Sequence, residues 1–494
     1  MNFSPRLINF TLLISVLYIL FSIIYFLANY PFRGTVILLA IIPLGVLTHR
    51  IFTARKFIDS RIQKVIGNLE DYSVYTKSLP GYRFVDIFNS AEAYAQTLSA
   101  ECLESQHAEN LTGILNGEFY IETNRFVRPA EHKSRSIGVD REGFYATDCF
   151  WLVPQVLSTS CGVIRIRTLE YSNEVSIEVA AKLSSDADEV IRTILENASA
   201  NSIYKNKIIE ISFQQEVRDE YGGLEMREKV DPLFISQPPV TEAEIVLDDD
   251  TRDVIQRTII DFHERREELM RFGLPARRGV LFYGPPGTGK TFTSRFISNK
   301  LESATTVVTS GLSLLHIRSV CNIARMLQPS VIVLEDVDLV YSSREINYHN
   351  TALGELMDEL DGFKPDDKII FILTTNSIER VESAIRERPG RISQCIYFGP
   401  PTAELRKQYL DSLLKTYDLS KLDINEIVEK TDGSTQAFLK ELVYRSIQFA
   451  SEGVVANAPK ELCLDLASFD RALAEMRKSA GNAGEAIIGF QIKR

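Results

Sequence analysis

Residues 279–301, GVLFYGPPGTGKTFTSRFISNKL, constrain this 494-residue chain more than any other stretch. Val280 to Tyr283 have the apolar character of a buried strand, and the residues after Thr291 have helical character. Between them, 284–291 fit G-x-x-x-x-G-K-[ST] in the strand–loop–helix setting that gives the pattern its meaning. Glycines let backbone N–H groups close on one anion, and the following helix turns its partly positive N-terminus toward it. The pattern predicts a phosphate cradle made by Gly284, Pro285, Pro286, Gly287, Thr288, Gly289, Lys290, Thr291 and Phe292. Lys290 is placed to reach the β- and γ-phosphates of a nucleotide, and Thr291 to put its hydroxyl on Mg²⁺.

A second strand, Val331-Ile332-Val333-Leu334, ends in Glu335-Asp336-Val337-Asp338. A wholly apolar strand suits a parallel sheet covered on both faces, where ligands bind at the carboxyl ends of the strands. A divalent ion on a triphosphate needs an acidic neighbour, and an attacking water needs another to orient it. Adjacent carboxylates at a strand end can divide those two tasks.

Taken in order, these motifs resemble the AAA family of P-loop ATPases over roughly residues 248–478. Leu360-Asp361-Gly362-Phe363 is similar to the family's inter-subunit signalling motif. Residues 369–373 lead into Thr374-Thr375-Asn376, where the family places a polar sensor of the γ-phosphate. Arg386-Glu387-Arg388-Pro389-Gly390-Arg391 resembles its second region of homology. The resemblance implies an α/β core with a parallel sheet and a small α-helical lid, ATP and Mg²⁺ as cofactors, and a hexameric ring. It also implies that Arg388 and Arg391 reach a neighbouring subunit's nucleotide, where an arginine can be worth about 10³–10⁵ in rate.

Two departures from the family stand out. Its usual strand ending is Asp-Glu, whereas this chain has Glu335-Asp336. Position assigns Glu335 and Thr291 to the metal and Asp336 to the water, with a side chain one methylene shorter. The polypeptide-gripping aromatic loop is also missing: Ser310-Gly311 leads into a short segment whose nearest candidates are Leu314, Leu315 and His316. Both features resemble the mitochondrial AAA ATPases that move the folded Rieske iron–sulfur protein. At the lid, Ser434-Thr435-Gln436-Ala437 stands where the family has Ser-Gly-Ala.

Residues 7–32 carry no charge in 26 positions, enough helix to cross a ~30 Å hydrocarbon core. The run is too long for the apolar part of a signal peptide, and no small-x-small cleavage site follows. A shorter apolar run at 35–49, kinked by Pro43, precedes Arg50, Arg55, Lys56, Arg61 and Lys64. That basic flank favours a transmembrane hairpin with both ends in the cytoplasm. A single span with an interfacial segment is the other reading.

The region between the basic flank and the linker reads as an α+β unit with helices at 88–106 and 186–197, a hairpin over 163–179, and a strand at 207–213. Arg165 and Arg167 alternate with isoleucine there and read as a solvated strand face. The expected domains are a membrane hairpin with its basic flank (1–57), the α+β unit (58–231), a linker (232–247), the ATPase core (248–398), the lid (399–480) and a tail (481–494).

A net charge of −11 disfavours nucleic acid as a partner. Six scattered cysteines fit neither zinc nor a disulfide framework. His263-Glu264 lacks the second histidine of a zinc protease, so ATP hydrolysis without proteolysis is expected. The function read here is a membrane-anchored ATPase ring, facing an ATP-containing compartment, that moves or remodels a protein client. A nucleotide-gated membrane scaffold with little hydrolysis is the alternative, motivated by the reversed acidic pair.

Overall fold

The computed structural model describes residues 65–66, 71–104, 110–116, 130–154, 160–169, 173–217, 226–236, 238–338, 349–379, 392–452 and 458–480. The apolar runs at 7–32 and 35–49 lie outside them. Among the described residues no helix is long and apolar enough to cross a membrane.

The first unit runs β1 (Ser73–Pro80), α1 (Phe84–Thr97), β2 (Glu101–Glu104), α2 (Leu111–Asn116), β3 (His132–Gly138), β4 (Arg141–Ala146), β5 (Asp148–Leu152), β6 (Cys161–Leu169), β7 (Glu174–Ala181) and α3 (Ser184–Ala200). Five of these strands form an antiparallel sheet in the order β1-β7-β6-β5-β2, with β3 and β4 as a separate hairpin. Side chains alternate across the pleat. Trp151, Ile164, Ile166 and Ile177 pack against α1 and α3, while Phe150, Leu152 and Val163 pack against α2 and Ile66. The helix expected over 88–106 stops at Thr97. Ser99 takes a left-handed φ of 51°, and the next residues become the edge strand β2.

The solvated arginine face is also overturned. Because both sheet faces are covered, Arg165 is fully buried. Its Nε and Nη2 donate to Asp148 at 2.8 and 2.7 Å, its Nη1 donates to Glu178 at 3.2 Å, and its guanidinium lies 4.6 Å from the Phe150 ring centre. Arg167 pairs with the other Glu178 oxygen at 2.9 Å.

The second unit begins earlier than the sequence suggested. β8 (Ile208–Val217) and β9 (Met226–Phe234) are followed by α4 (Asp249–Ile255), α5 (Asp261–Glu264), α6 (Arg266–Arg271), β10 (Arg278–Tyr283) and α7 (Lys290–Lys300). Then come β11 (Thr305–Ser310), α8 (Ile317–Met326), β12 (Ser330–Glu335), α9 (His349–Gly362), β13 (Ile369–Thr375) and β14 (Gln394–Tyr397). One seven-stranded sheet has the order β14-β10-β13-β12-β11-β8-β9. Of the neighbours with described registers, all are parallel except β8 and β9.

The boundary at 231 and the linker from 232 are therefore corrected. Ile209 and Ile211 bury themselves with Val307, Ile332 and Leu334, so β8 belongs to the core of this sheet. Pro232 sits opposite Ile211 on the outermost strand, where a residue without an N–H is tolerated. The turn between α3 and β8 is fastened on both sides. Asp86 of α1 accepts from Ser202 Oγ (2.6 Å) and Ile203 N (2.8 Å), and Asn206 N donates to Thr305 Oγ1 (3.0 Å).

A small unit closes the described chain: α10 (Ala403–Leu414), β15 (Asp418–Lys421), α11 (Ile424–Lys430), α12 (Gln436–Ala450), β16 (Cys463–Asp465) and α13 (Leu466–Ala480). Its four helices fit the α-helical lid that the resemblance implied. Thr402, Asp423 and Thr435 cap three of them by accepting from backbone N–H groups two or three residues on. The short parallel pair β15–β16 was not anticipated.

Candidate nucleotide site

Strand order builds the site. β13 lies between β10 and β12, so the glycine loop after β10, the acids after β12 and Asn376 after β13 converge at one edge of the sheet. Two glycines of the loop are sterically obligatory. Gly284 has φ 147°, and a Cβ there would stand 2.1 Å from the Phe398 carbonyl oxygen; Gly287 has φ 78°, and a Cβ would meet that of Ala437 at 2.8 Å. The backbone is thus a cradle that side chains would fill. Thr288 Oγ1 braces the loop by donating to the Pro285 carbonyl at 2.9 Å.

Lys290 opens α7 and is 5% exposed. Its Nζ donates to the carbonyls of Gly284 and Pro285, each at 2.8 Å. Burial pushes its amine down to about 8, against the pull of Asp336 and Asp338. An ammonium resting on its own loop's carbonyls can be taken up by a stronger anionic acceptor. Burial raises the carboxyl of Glu335, while Arg295 and, more weakly, the Thr291 side chain pull it the other way. A hydroxyl beside a carboxylate suits a hard divalent cation whose other positions are filled by phosphate and water. Phe292, next along α7, packs partly buried against the sheet's core.

Asp336 has a left-handed φ of 50°, unusual for a residue with a side chain. Its N–H donates to Thr374 Oγ1 at 2.9 Å, and its Oδ1 accepts from Asn376 Nδ2 at 3.1 Å. The acid and the polar sensor position thus meet directly. Asp338, to which sequence reading gave no task, is buried and holds that sensor loop: its Oδ1 accepts from Thr375 Oγ1 (2.9 Å) and Asn376 N (3.0 Å). The alternation Asp336-Val337-Asp338, with Val337 in the core, was the available signal.

Arg388 and Arg391 lie outside the described residues. Among the residues nearest to a gripping loop, Leu314 is buried in the core, Leu315 packs against it, and His316 stacks on Phe213 of β8 at 4.3 Å. His263 faces Ser303 Oγ at 2.8 Å, and burial, helped by Arg266, drives its imidazole down to about 4.

A cavity of about 430 Å³ is lined by the segment leading into α4 and the first turns of that helix, by β14 and the segment after it, and by Leu405 and Gln436 of the lid helices.

Residues 280–400 match the family described as ATPase family associated with various cellular activities (AAA). The chain is 30% identical over 282 residues to the 26S proteasome regulatory subunit 8 homolog of Schizosaccharomyces pombe, covering 52% of this chain and 67% of that protein. It is 31% identical over 196 residues to the ATP-dependent zinc metalloprotease FtsH 2 of a Thermoanaerobacter species, covering 37% of this chain and 38% of the relative. For the ATPase family protein 2 homolog of Caenorhabditis elegans the identity is 29% over 243 residues, 45% of this chain and 33% of the relative. The chain thus spans only about a third of the length of the last two.

Proposed function

The chain belongs to the AAA family of ATPases, which use ATP with Mg²⁺, and from that premise we propose that it is a membrane-anchored ring whose ATP hydrolysis moves or remodels a protein client. The observation that carries the catalytic part is the meeting of Asp336 with Asn376 beside a lysine held on its own loop's carbonyls.

In this reading the backbone of 284–291 and Lys290 would hold the β- and γ-phosphates, and Thr291 and Glu335 would hold Mg²⁺, which would supply positive charge against the phosphate oxygens. Asp336 orients the attacking water and receives its proton, while Asn376 fixes the carboxylate's direction. Asp338 sets the height of Asn376 through its backbone. Arg388 and Arg391 of one subunit complete the charge clamp on the next subunit's nucleotide. The ring then hydrolyses only when assembled, and hexamers are the family's usual form.

Membrane attachment rests on the uncharged run at 7–32 and the basic flank after 49. The ATPase unit then faces the cytoplasm or a matrix-like compartment holding ATP. Burial of Leu314 and stacking of His316 argue for a client moved without threading through aromatic loops. This keeps a likeness to the Rieske-translocating ATPases as the finer reading.

The test is steady-state phosphate release from the detergent-solubilised full chain, with size measured in parallel. Lys290→Ala should abolish release, and Arg388→Ala should abolish it while leaving ATP bound. Full activity in both variants would end the assignment. Assembly on ATP binding with almost no release in the wild type would favour the scaffold reading that the reversed acidic pair suggests.

A further inference from the structure

If the phosphates lie in the 284–291 loop, the base must go where the loop opens, and two walls of the cavity of about 430 Å³ are tied to the loop, one through Phe398 and one through the residue after Gln436. Phe398, one of its walls, is the residue whose carbonyl oxygen crowds Gly284. On the other side, Ala437 N donates to the Gly287 carbonyl at 3.1 Å, and Gln436, its neighbour, lines the cavity. The volume suits a nucleoside. Val246, Leu247 and Leu405 give it apolar walls.

Gln436 is the polar group in it with an unfinished hydrogen-bond set. Its Nε2 donates to the Val246 carbonyl at 3.2 Å, tying the lid helix α12 to the segment before α4. Its Oε1 is buried and receives no donor. One amide therefore carries a donor already spent on Val246 O and an acceptor with no donor of its own. An exocyclic amino group offers two N–H donors, and in adenine it adjoins a ring nitrogen that accepts. Guanine presents an oxygen there, which would face two carbonyl oxygens.

We propose that Gln436 selects adenine. As the base enters, the amide turns from Val246 toward it. Oε1 accepts from the 6-amino group, Nε2 donates to the adjacent ring nitrogen, and Val246 O accepts the second amino proton. The bond seen between Gln436 and Val246 is then a latch that the base replaces. This rests on the phosphate-binding reading above.

The experiment is competition by ATP and by GTP against a ribose-labelled fluorescent ADP on the full chain. Wild type, Gln436→Ala, the near-isosteric Gln436→Glu and Lys290→Ala are compared, with folding checked by thermal melting. A bidentate amide–adenine pair implies that the ATP-over-GTP preference shrinks on the order of 5- to 100-fold in both Gln436 variants. That loss should fall on ATP, with GTP affinity nearly constant. An unchanged preference in both, with Lys290→Ala losing both nucleotides, would overturn the role of Gln436 alone. Retention of both nucleotides by Lys290→Ala would overturn the phosphate-binding reading and this inference with it.

Discussion

Lys290 in the ATPase unit and Arg165 in the preceding unit are both buried cations, and the fold treats them in opposite ways. Arg165 meets two carboxylates and an aromatic face inside its own sheet. Its Nε, Nη1 and Nη2 each donate to a carboxylate within the protein, so its charge is matched internally. Lys290 is held by two carbonyls of the loop it belongs to, and burial depresses its charge. A charge completed by carboxylates is architecture, whereas a charge resting on backbone dipoles is available to an incoming anion. The same contrast runs through the acids. Glu178 serves Arg165, Arg167 and the N–H of Leu111, while Asp336 sits on a strained left-handed residue at a strand end, turned toward Asn376.

Exchanging the two cations for alanine should separate these roles most widely. Arg165→Ala leaves Asp148 buried without its cation and Glu178 with Arg167 alone, and loss of one partner of a buried pair costs about 3–5 kcal/mol. Urea unfolding should report that loss, while the fraction still folded binds ATP normally. Lys290→Ala should give the reverse, with nucleotide binding gone and unfolding little changed. Comparable effects of the two variants on both readouts would erase the distinction.

Asp338→Ala sharpens the contrast within the site. This carboxylate touches Thr375 and the Asn376 backbone, so its removal should let the sensor loop drift without disturbing the phosphate cradle. Turnover should fall on the order of 10²-fold, with ATP affinity changed by less than roughly threefold. Equal losses in affinity and turnover would mean that Asp338 supports the cradle itself.

A smaller effect joins the two units. Asp86 is buried under the turn that enters β8, and burial raises its carboxyl to about 6 despite hydrogen bonds from Ser202 and Ile203. Its unfolded value is near 4, so between those values the folded state holds more protons. Stability should therefore decline as pH rises from about 4 through 6. Asp86→Asn should remove that slope and gain a few degrees over wild type at pH 7 in thermal melts. Parallel curves at every pH would place the titration elsewhere.

The cradle was legible because its demands are local. Glycines, a lysine and a hydroxyl at fixed spacing after a strand need no distant partner to be recognised, and Glu335-Asp336 is legible as the end of a wholly apolar strand. Arg165 was misread because alternation with isoleucine looks the same on a wet face as on a buried one. Its burial comes from α2 and Ile66, which close over that face from elsewhere in the chain. The membership of β8 in the ATPase sheet was hidden for a similar reason. Its partner β11 begins about 90 residues later, and no turn signal joins them. Gln436 was visible as a departure, but its link to Val246 crosses 190 positions.

The central claim is that position, more than side-chain length, decides what each member of Glu335-Asp336 does. Mg²⁺ titration of ATP binding, with phosphate release read on the same samples, tests it in Glu335→Gln and Asp336→Asn. Glu335→Gln should raise the Mg²⁺ needed for half-saturation by about tenfold or more. Asp336→Asn should bind Mg²⁺ and ATP as wild type does while phosphate release drops on the order of 10²–10⁴-fold. The opposite pattern, with Asp336→Asn losing metal dependence and Glu335→Gln losing turnover alone, would contradict it.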